Sequence, residues 1–372
     1  MSIVSVVTCE TYQLDAVRRA VTGVLAPLGG ISHFVRPGMQ VLLKPNLLTG
    51  ADLEQGVTSH PAVVQAVAEL VQAAGAQVLI GDSPAGPVEK HAQVYRKSGM
   101  VAVAERTGAR LAPFDGVAWQ RLNGHDYYIA RPVLEADLVI NLPKLKTHML
   151  TLYTGAVKNL FGAIPGTRKR EIHCTAPGVG DFSQALVDVL QTVRPGLTLL
   201  DGVLGQEGNG PGTSGTPRGY GCLAASTDPV ALDTVITQAM GYRPGEVLHL
   251  AQAGVRGLGV SDRAAVRVVG DPGALDFGTL RLPRSHWYLR IPSWVSAPVS
   301  SAIEVRPRLA ASMCNGCGSC VQACPRDAIT PGQPPAIDLQ RCVGCFCCAE
   351  VCPQGAITPQ RNLIAQLLGL GR

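Results

Sequence analysis

No apolar run in this chain approaches the roughly 20 residues that a membrane-spanning helix needs, so no integral membrane segment is expected. The first residues, MSIVSVVTCE, lack a basic start and a long apolar core, and a signal peptide is not expected either. There is no HExxH and no nucleophile elbow, which leaves zinc-protease and serine-hydrolase chemistry without support. A dinucleotide fingerprint and a Walker lysine at the required offset are also missing. Charge is scarce: 16% of residues are charged against 46% hydrophobic, and the net charge is only +5. That excess is too mild to argue for nucleic acid, and no nucleic-acid motif accompanies it. What remains is a 372-residue chain, long enough for two domains or more, with the composition of a large buried core.

Cysteine is the exception to this plainness. Of twelve cysteines, eight fall in two runs near the C-terminus. Cys314, Cys317, Cys320 and Cys324 are spaced by two, two and three residues, and Pro325 follows. Cys342, Cys345, Cys348 and Cys352 repeat the spacing 28 residues later, and Pro353 follows. Both units end in Ala-Ile-Thr, which marks a duplication. Three thiolates on a tight loop reach three corners of a cubane, and the fourth corner comes from the other run. The pattern assigns Cys314, Cys317, Cys320 and Cys352 to one [4Fe–4S] cluster, and Cys342, Cys345, Cys348 and Cys324 to a second. Paired CxxC also binds zinc, but zinc leaves the three-residue step and both prolines unexplained. The stretch resembles a two-cluster bacterial ferredoxin. Cys347 interrupts the second run and reads as a non-ligand packed near the cluster, with substitution for a neighbouring ligand as the alternative. Cys9, Cys174 and Cys222 read as small buried side chains. Iron–sulfur thiolates imply a reducing interior, hence a cytoplasmic location.

The rest of the chain alternates apolar strands with helical periodicity. Val41–Leu43, Val78–Ile80, Leu138–Ile140, Leu197–Leu200, Cys222–Ala225 and Val266–Val269 read as strands. Leu14–Leu25, a segment from Pro61 to Val71, and Phe182–Val193 read as helices. Asp228 suits an N-cap with Pro229 in the first turn. The fold class expected is α/β, a mostly parallel sheet with flanking helices, plus a small C-terminal ferredoxin-like α+β domain. The boundaries expected are residues 1–280 for the α/β domain, 281–310 for a linker, 311–358 for the cluster domain and 359–372 for a tail. In the linker, Trp287 and Trp294 read as anchors across the domain interface. Residues 362–370 read as a short docking helix.

Polar residues cluster just after the strands, where ligands bind in open α/β sheets. Lys44, Asn46, Asp82, Asn141, Lys144, Lys146, His148, Asp201 and Glu207 are therefore candidates to share one crevice. In Lys144-Leu145-Lys146-Thr147-His148, two lysines and a histidine suit a carboxylate or phosphate; a solvated basic loop is the bland alternative. Lys158, Asn159, the run Arg168-Lys169-Arg170 and His173 extend the basic character and favour an anionic ligand. Asp201 and Glu207 read either as acid–base carboxylates or metal ligands, or as ordinary turn residues. Three ammonium groups, Lys44, Lys144 and Lys146, are expected to meet around one anion, with His148 as proton donor and Asp201 and Glu207 opposite.

LLKPNLL, IGDSP, INLPKLKTH, GAVKNLFG, DGVLGQEGNGP and STDPVALD together resemble the family known as domain of unknown function 362, over about residues 40 to 260. Gln206 stands where a methionine would be expected. The resemblance implies an iron–sulfur protein with an α/β domain, without an assigned reaction. It makes Lys44, Asn46, Asp82, Lys144, Lys146, His148, Lys158, Asn159, Asp201 and Glu207 candidates for a shared site. The function expected is single-electron transfer between a two-cluster module and an α/β domain that binds a small anionic substrate or cofactor, together with a redox partner protein. The rival readings are an electron carrier whose α/β domain docks a partner enzyme, and clusters that only staple a small domain.

Overall fold

The computed structural model of the protein describes residues 1–86, 88–114, 116–166, 168–176, 178–283 and 305–361. The strands in chain order are β1 (Ser2–Thr8), β2 (Gln40–Pro45), β3 (Gln77–Ile80) and β4 (Arg110–Leu111). A separate hairpin follows, β5 (Val117–Leu122) and β6 (His125–Ala130). Then come β7 (Leu138–Leu142), β8 (Lys144–His148), β9 (Leu152–Thr154), β10 (Leu197–Gly208), β11 (Gly215–Ser226) and β12 (Val266–Gly270). Ten of these form one sheet in the order β12-β1-β11-β10-β7-β2-β3-β4, with β8 alongside β10 and β9 alongside β8. Pairings are parallel except where β11 meets β1 and β10, and where β9 meets β8.

The apolar runs explain the layering. Val41, Leu42 and Leu43 are all fully buried. Leu42 joins one core cluster and Val41 and Leu43 the other, as period-two alternation requires of a strand covered on both faces. Helix Leu14–Leu25 buries Val17, Val21, Val24 and Leu25 on one side. Helix Val179–Val193 supplies Phe182, Leu186, Val189 and Val193 to the other. Asp228 caps helix Pro229–Ala239, accepting from the N–H groups of Val230 and Ala231 at 3.0 and 2.9 Å.

Two segments differ from the sequence expectation for the same reason. Asp201 to Gly208, rich in turn formers, continues β10 because it pairs along its length with β11. Strand pairing satisfies the backbone there and overrides local propensity. Likewise the basic segment Lys144–His148 is not a loop but β8, and all five residues are buried. Gly205 permits this, since a side chain there would sit 2.0 Å from the Leu145 carbonyl oxygen.

The C-terminal module is framed by β13 (Val305–Leu309) paired with β16 (Ile357–Arg361), and by β14 (Ile329–Thr330) paired with β15 (Ala336–Ile337). Its sheet thus reaches beyond the expected bounds of 311 and 358. The flanking residues join through backbone pairing, which leaves little apolar pattern to read. Trp287, Trp294 and the segment 362–370 lie outside the described residues. No helix among the described residues is long and apolar enough to cross a membrane.

Candidate functional site

The two cysteine runs fold into two small voids. Cys314, Cys317, Cys320 and Cys352 line one; Cys324, Cys342, Cys345 and Cys348 line the other. Each void takes three thiols from one run and the fourth from the other. Backbone N–H groups of Gly316, Ala328, Gly344 and Ala356 donate to the sulfurs of Cys314, Cys324, Cys342 and Cys352 at 3.2 to 3.5 Å. Such donors favour thiolate charge. Among the described residues no three His, Cys, Asp or Glu side chains converge on a single-ion position. Thiols spread around a void fit a cubane better than one tetrahedral ion. Cys347 belongs to neither set.

The module docks on the helix Arg168–Thr175, on the turn at Thr213 and on the end of β8. Thr213 donates to the Cys352 carbonyl at 2.6 Å, and Cys174 to that of Pro325 at 3.0 Å. Arg170 donates to the Cys324 carbonyl and pairs with Asp327 at 3.3 Å. His148 at the end of β8 places Nε2 3.1 Å from Glu350 of the module. Met149 packs into the module's own apolar cluster.

Between the two parts lies a cavity of about 510 Å³. The α/β domain lines it with Asn46, Asp82, Thr154, Lys158, Asn159 and Lys169, and also with Lys146 and His173. The module contributes Gln322, Ala323, Cys347, Glu350 and Val351. Cys347 comes from the same turn as Cys345 and Cys348, so the second cysteine void adjoins this wall.

The elements place these groups by ordinary means. In β8, Lys144, Lys146 and His148 share one face, roughly 6.6 Å apart in succession. Lys146 Nζ donates to Asn46 Oδ1 at 2.6 Å and to the Val57 carbonyl at 2.7 Å. Asn46 in turn donates to Asn159 Oδ1, and Asn159 to Asn141 Oδ1, each at 2.8 Å. The short helix Ala156–Asn159 is held by buried Asp233, which accepts from the N–H groups of Ala156 and Val157 at 2.7 and 2.8 Å. Lys158 therefore projects from a fixed turn. It makes no hydrogen bond or ion pair among the described residues. Gly162 lies over the Lys44–Asp82 pair, where a side chain would come within 2.1 Å of Asp82 Oδ1.

Burial dominates the electrostatics. It pulls Lys146 down to about 7, helped by Lys158, and Lys169 to about 8 against the pull of Asp82. Lys158 is lowered by burial as well. His148 and His173 are both pulled to about 4 by burial, so both are neutral at pH 7. Burial works against ionisation of Glu350, but His148 and Lys158 outweigh it and hold the carboxyl at about 2.

The expected convergence of Lys44, Lys144 and Lys146 does not occur. Lys44 is spent on Asp82 at 2.7 Å, and both groups are buried. Lys144 is spent on Asp201 at 2.7 Å and on the Tyr12 hydroxyl at 2.7 Å. Asp201 also accepts from Tyr12 and from the His60 N–H, at 2.8 and 2.9 Å, which leaves it no free base position. Glu207 is tied to Arg218 at 3.0 Å and stands apart from the cavity. A long side chain at a strand's end takes the nearest opposite charge, and strand order alone does not reveal it. Of the expected ligand set, Asn46, Asp82, Lys146, Lys158 and Asn159 do line the cavity.

Three participants were not singled out from sequence. Lys169 sits in a basic run with no mark to set it apart. Thr154 has no local signature. Glu350 had a usable one: it occupies the position in the second cysteine run that Gln322 holds in the first, a carboxylate at a duplicated site.

His249 is fully buried, and neither ring nitrogen has a hydrogen-bond partner among the described residues. Burial, with Lys158 and His148, pulls its pKa to about 3. Below about 6.5 the unfolded chain binds a proton that the folded protein refuses, so stability is lost as pH falls through that window. The loss from this group amounts to at most about 1.4 kcal/mol per pH unit. His249→Leu should reduce the fall in urea midpoint between pH 7 and pH 5.5; an unchanged fall would locate the acid sensitivity elsewhere.

Comparison with known proteins agrees with this architecture. The profile described as domain of unknown function DUF362 matches residues 41–238, and that of a 4Fe-4S dicluster domain matches residues 313–356. The thylakoid-associated protein sll1697 of Synechocystis is 36% identical over 311 residues, covering 77% of this chain and 95% of that protein. The lactate racemase apoprotein of Thermoanaerobacterium thermosaccharolyticum aligns at TM-score 0.35 and 13% identity over 54% of this chain and 50% of its own. A structural-genomics protein from Thermotoga maritima aligns at TM-score 0.35 and 12% identity, over 59% of this chain and 57% of its own. The chain therefore belongs to the DUF362 family and carries a 4Fe-4S dicluster domain at its C-terminal end.

Proposed function

We propose that this protein is an iron–sulfur oxidoreductase whose cavity holds a small anionic substrate or cofactor. The observation that carries the reading is Lys158, an ammonium without a hydrogen-bond or ion-pair partner among the described residues, in a cavity walled on one side by the turn that bears Cys345 and Cys348. Two [4Fe–4S] clusters held by the two thiol sets would supply single electrons at this wall. Lys146, Lys158 and Lys169 would bind and orient the anion, and Asn46 and Asn159 hold Lys146 in place. Neutral His148, whose Nδ1 accepts from the N–H groups of Leu150 and Thr151 at 3.0 and 3.3 Å, carries its proton on Nε2 at the Glu350 side. Cys317 is exposed, so the other thiol set lies nearer the surface where a redox partner protein would meet it. A reducing compartment such as the cytoplasm is part of the same reading.

The test is anaerobic purification followed by native mass spectrometry of any retained small molecule. Lys158→Ala should cut retention roughly ten- to a hundredfold, the effect of losing one charge-assisted contact. The visible spectrum of the clusters should stay unchanged. Equal retention by the variant would remove the cavity from the reading.

A further inference from the structure

We propose that the anion is a phosphate monoester with an apolar body, its phosphate seated among Lys146, Lys158, Lys169 and Thr154. This rests on the reading above and names the class of ligand.

Charge comes first. Glu89 is exposed, Asp82 is matched by Lys44, and Arg170 is paired with Asp327. With all three lysines protonated, the state a bound anion favours, the inner wall presents three ammonium groups against one carboxylate, Glu350. That excess of two positive charges suits a dianion.

Donor geometry comes second. An ammonium has three N–H donors. Lys146 uses two, on Asn46 and Val57; Lys169 uses two, on the Ser83 and Pro84 carbonyls; Lys158 uses none among the described residues. Thr154 is 3% exposed, lines the cavity, and its hydroxyl has no partner among the described residues. Burying a hydroxyl without a partner is costly, so this donor marks the place of a missing acceptor. The free donors are point charges and a hydroxyl. Arg170, whose planar guanidinium would pair edge-on with a carboxylate or a phosphate alike, is already spent on the Cys324 carbonyl and Asp327, so point-charge donors remain. Divergent single donors suit the three oxygens of a phosphoryl group better than the two of a carboxylate.

Size comes third. A cavity of about 510 Å³ is far larger than an inorganic ion and lies in the range of organic ligands. Leu48, Phe161, Val88 and Val351 supply apolar surface for the remainder of the molecule.

The full chain, prepared anaerobically with its clusters, should be titrated calorimetrically with phenyl phosphate, inorganic phosphate and succinate. Phenyl phosphate should bind at least tenfold more tightly than either of the others. Lys158→Ala should weaken it roughly ten- to a hundredfold and Thr154→Val about threefold to tenfold, while Lys158→Arg keeps most of the affinity. The cluster absorbance of each variant reports that it has folded. Tighter binding of succinate than of both phosphate probes would overturn the phosphate assignment and leave the anion reading intact. Binding of none of the three would overturn both. Equal affinity for phenyl phosphate and inorganic phosphate would overturn the apolar body.

Discussion

Replacing Cys348 by alanine should lower the iron of anaerobically prepared protein from about eight atoms per chain toward about four. Cys348 lines the void shared with Cys324, Cys342 and Cys345, and no fifth thiol lines it among the described residues. Cys347→Ala should leave iron near eight, because Cys347 faces the large cavity instead. The pair of variants separates ligand from neighbour although the two residues adjoin. Iron and sulfide analysis reads the result; a loss caused by Cys347→Ala as large as that caused by Cys348→Ala would sink the assignment. Because metal binding supplies folding free energy to small domains, the Cys348 variant should also expose the module to proteolysis.

The second large effect concerns Asp201. With Lys144 buried against it, Asp201→Ala strands an ammonium in the core and should cost about 3–5 kcal/mol of unfolding free energy. Removing both charges, as in Lys144→Met with Asp201→Asn, should recover a large part of that loss. Denaturant unfolding of the three proteins tests this. A catalytic carboxylate would behave differently: the single variant would lose activity and keep its stability. A double variant as unstable as Asp201→Ala would show that the hydrogen bonds to Tyr12 and His60, and not the charge, carry the cost.

The parallel strands, their flanking helices and the crossed thiol sets were legible because each rests on short-range pattern: apolar runs, helical spacing, cysteine spacing. The cavity was legible only in part. The alternation in Lys144–His148 carries a strand signal, yet a charged segment after a strand and a proline reads first as a loop. Whether a lysine faces a ligand or a buried aspartate depends on contacts distant in the chain, such as that of Lys144 with Asp201, 57 positions further on. Nothing local separates Lys144, which is neutralised, from Lys146, two residues on, which is not. Glu350 and Lys158 line one cavity from segments far apart in the chain, and neither segment announces the other.

The cavity has one wall on the α/β domain and one on the cluster module, and thermodynamic linkage follows from that. A molecule that touches both Lys158 and the Glu350 turn binds the docked arrangement better than an undocked one. By reciprocity it tightens the docking of the module by the same free energy with which docking tightens its own binding. Occupancy would then be reported away from the cavity, in slower amide hydrogen exchange around Thr213 and Cys352, where the two parts touch.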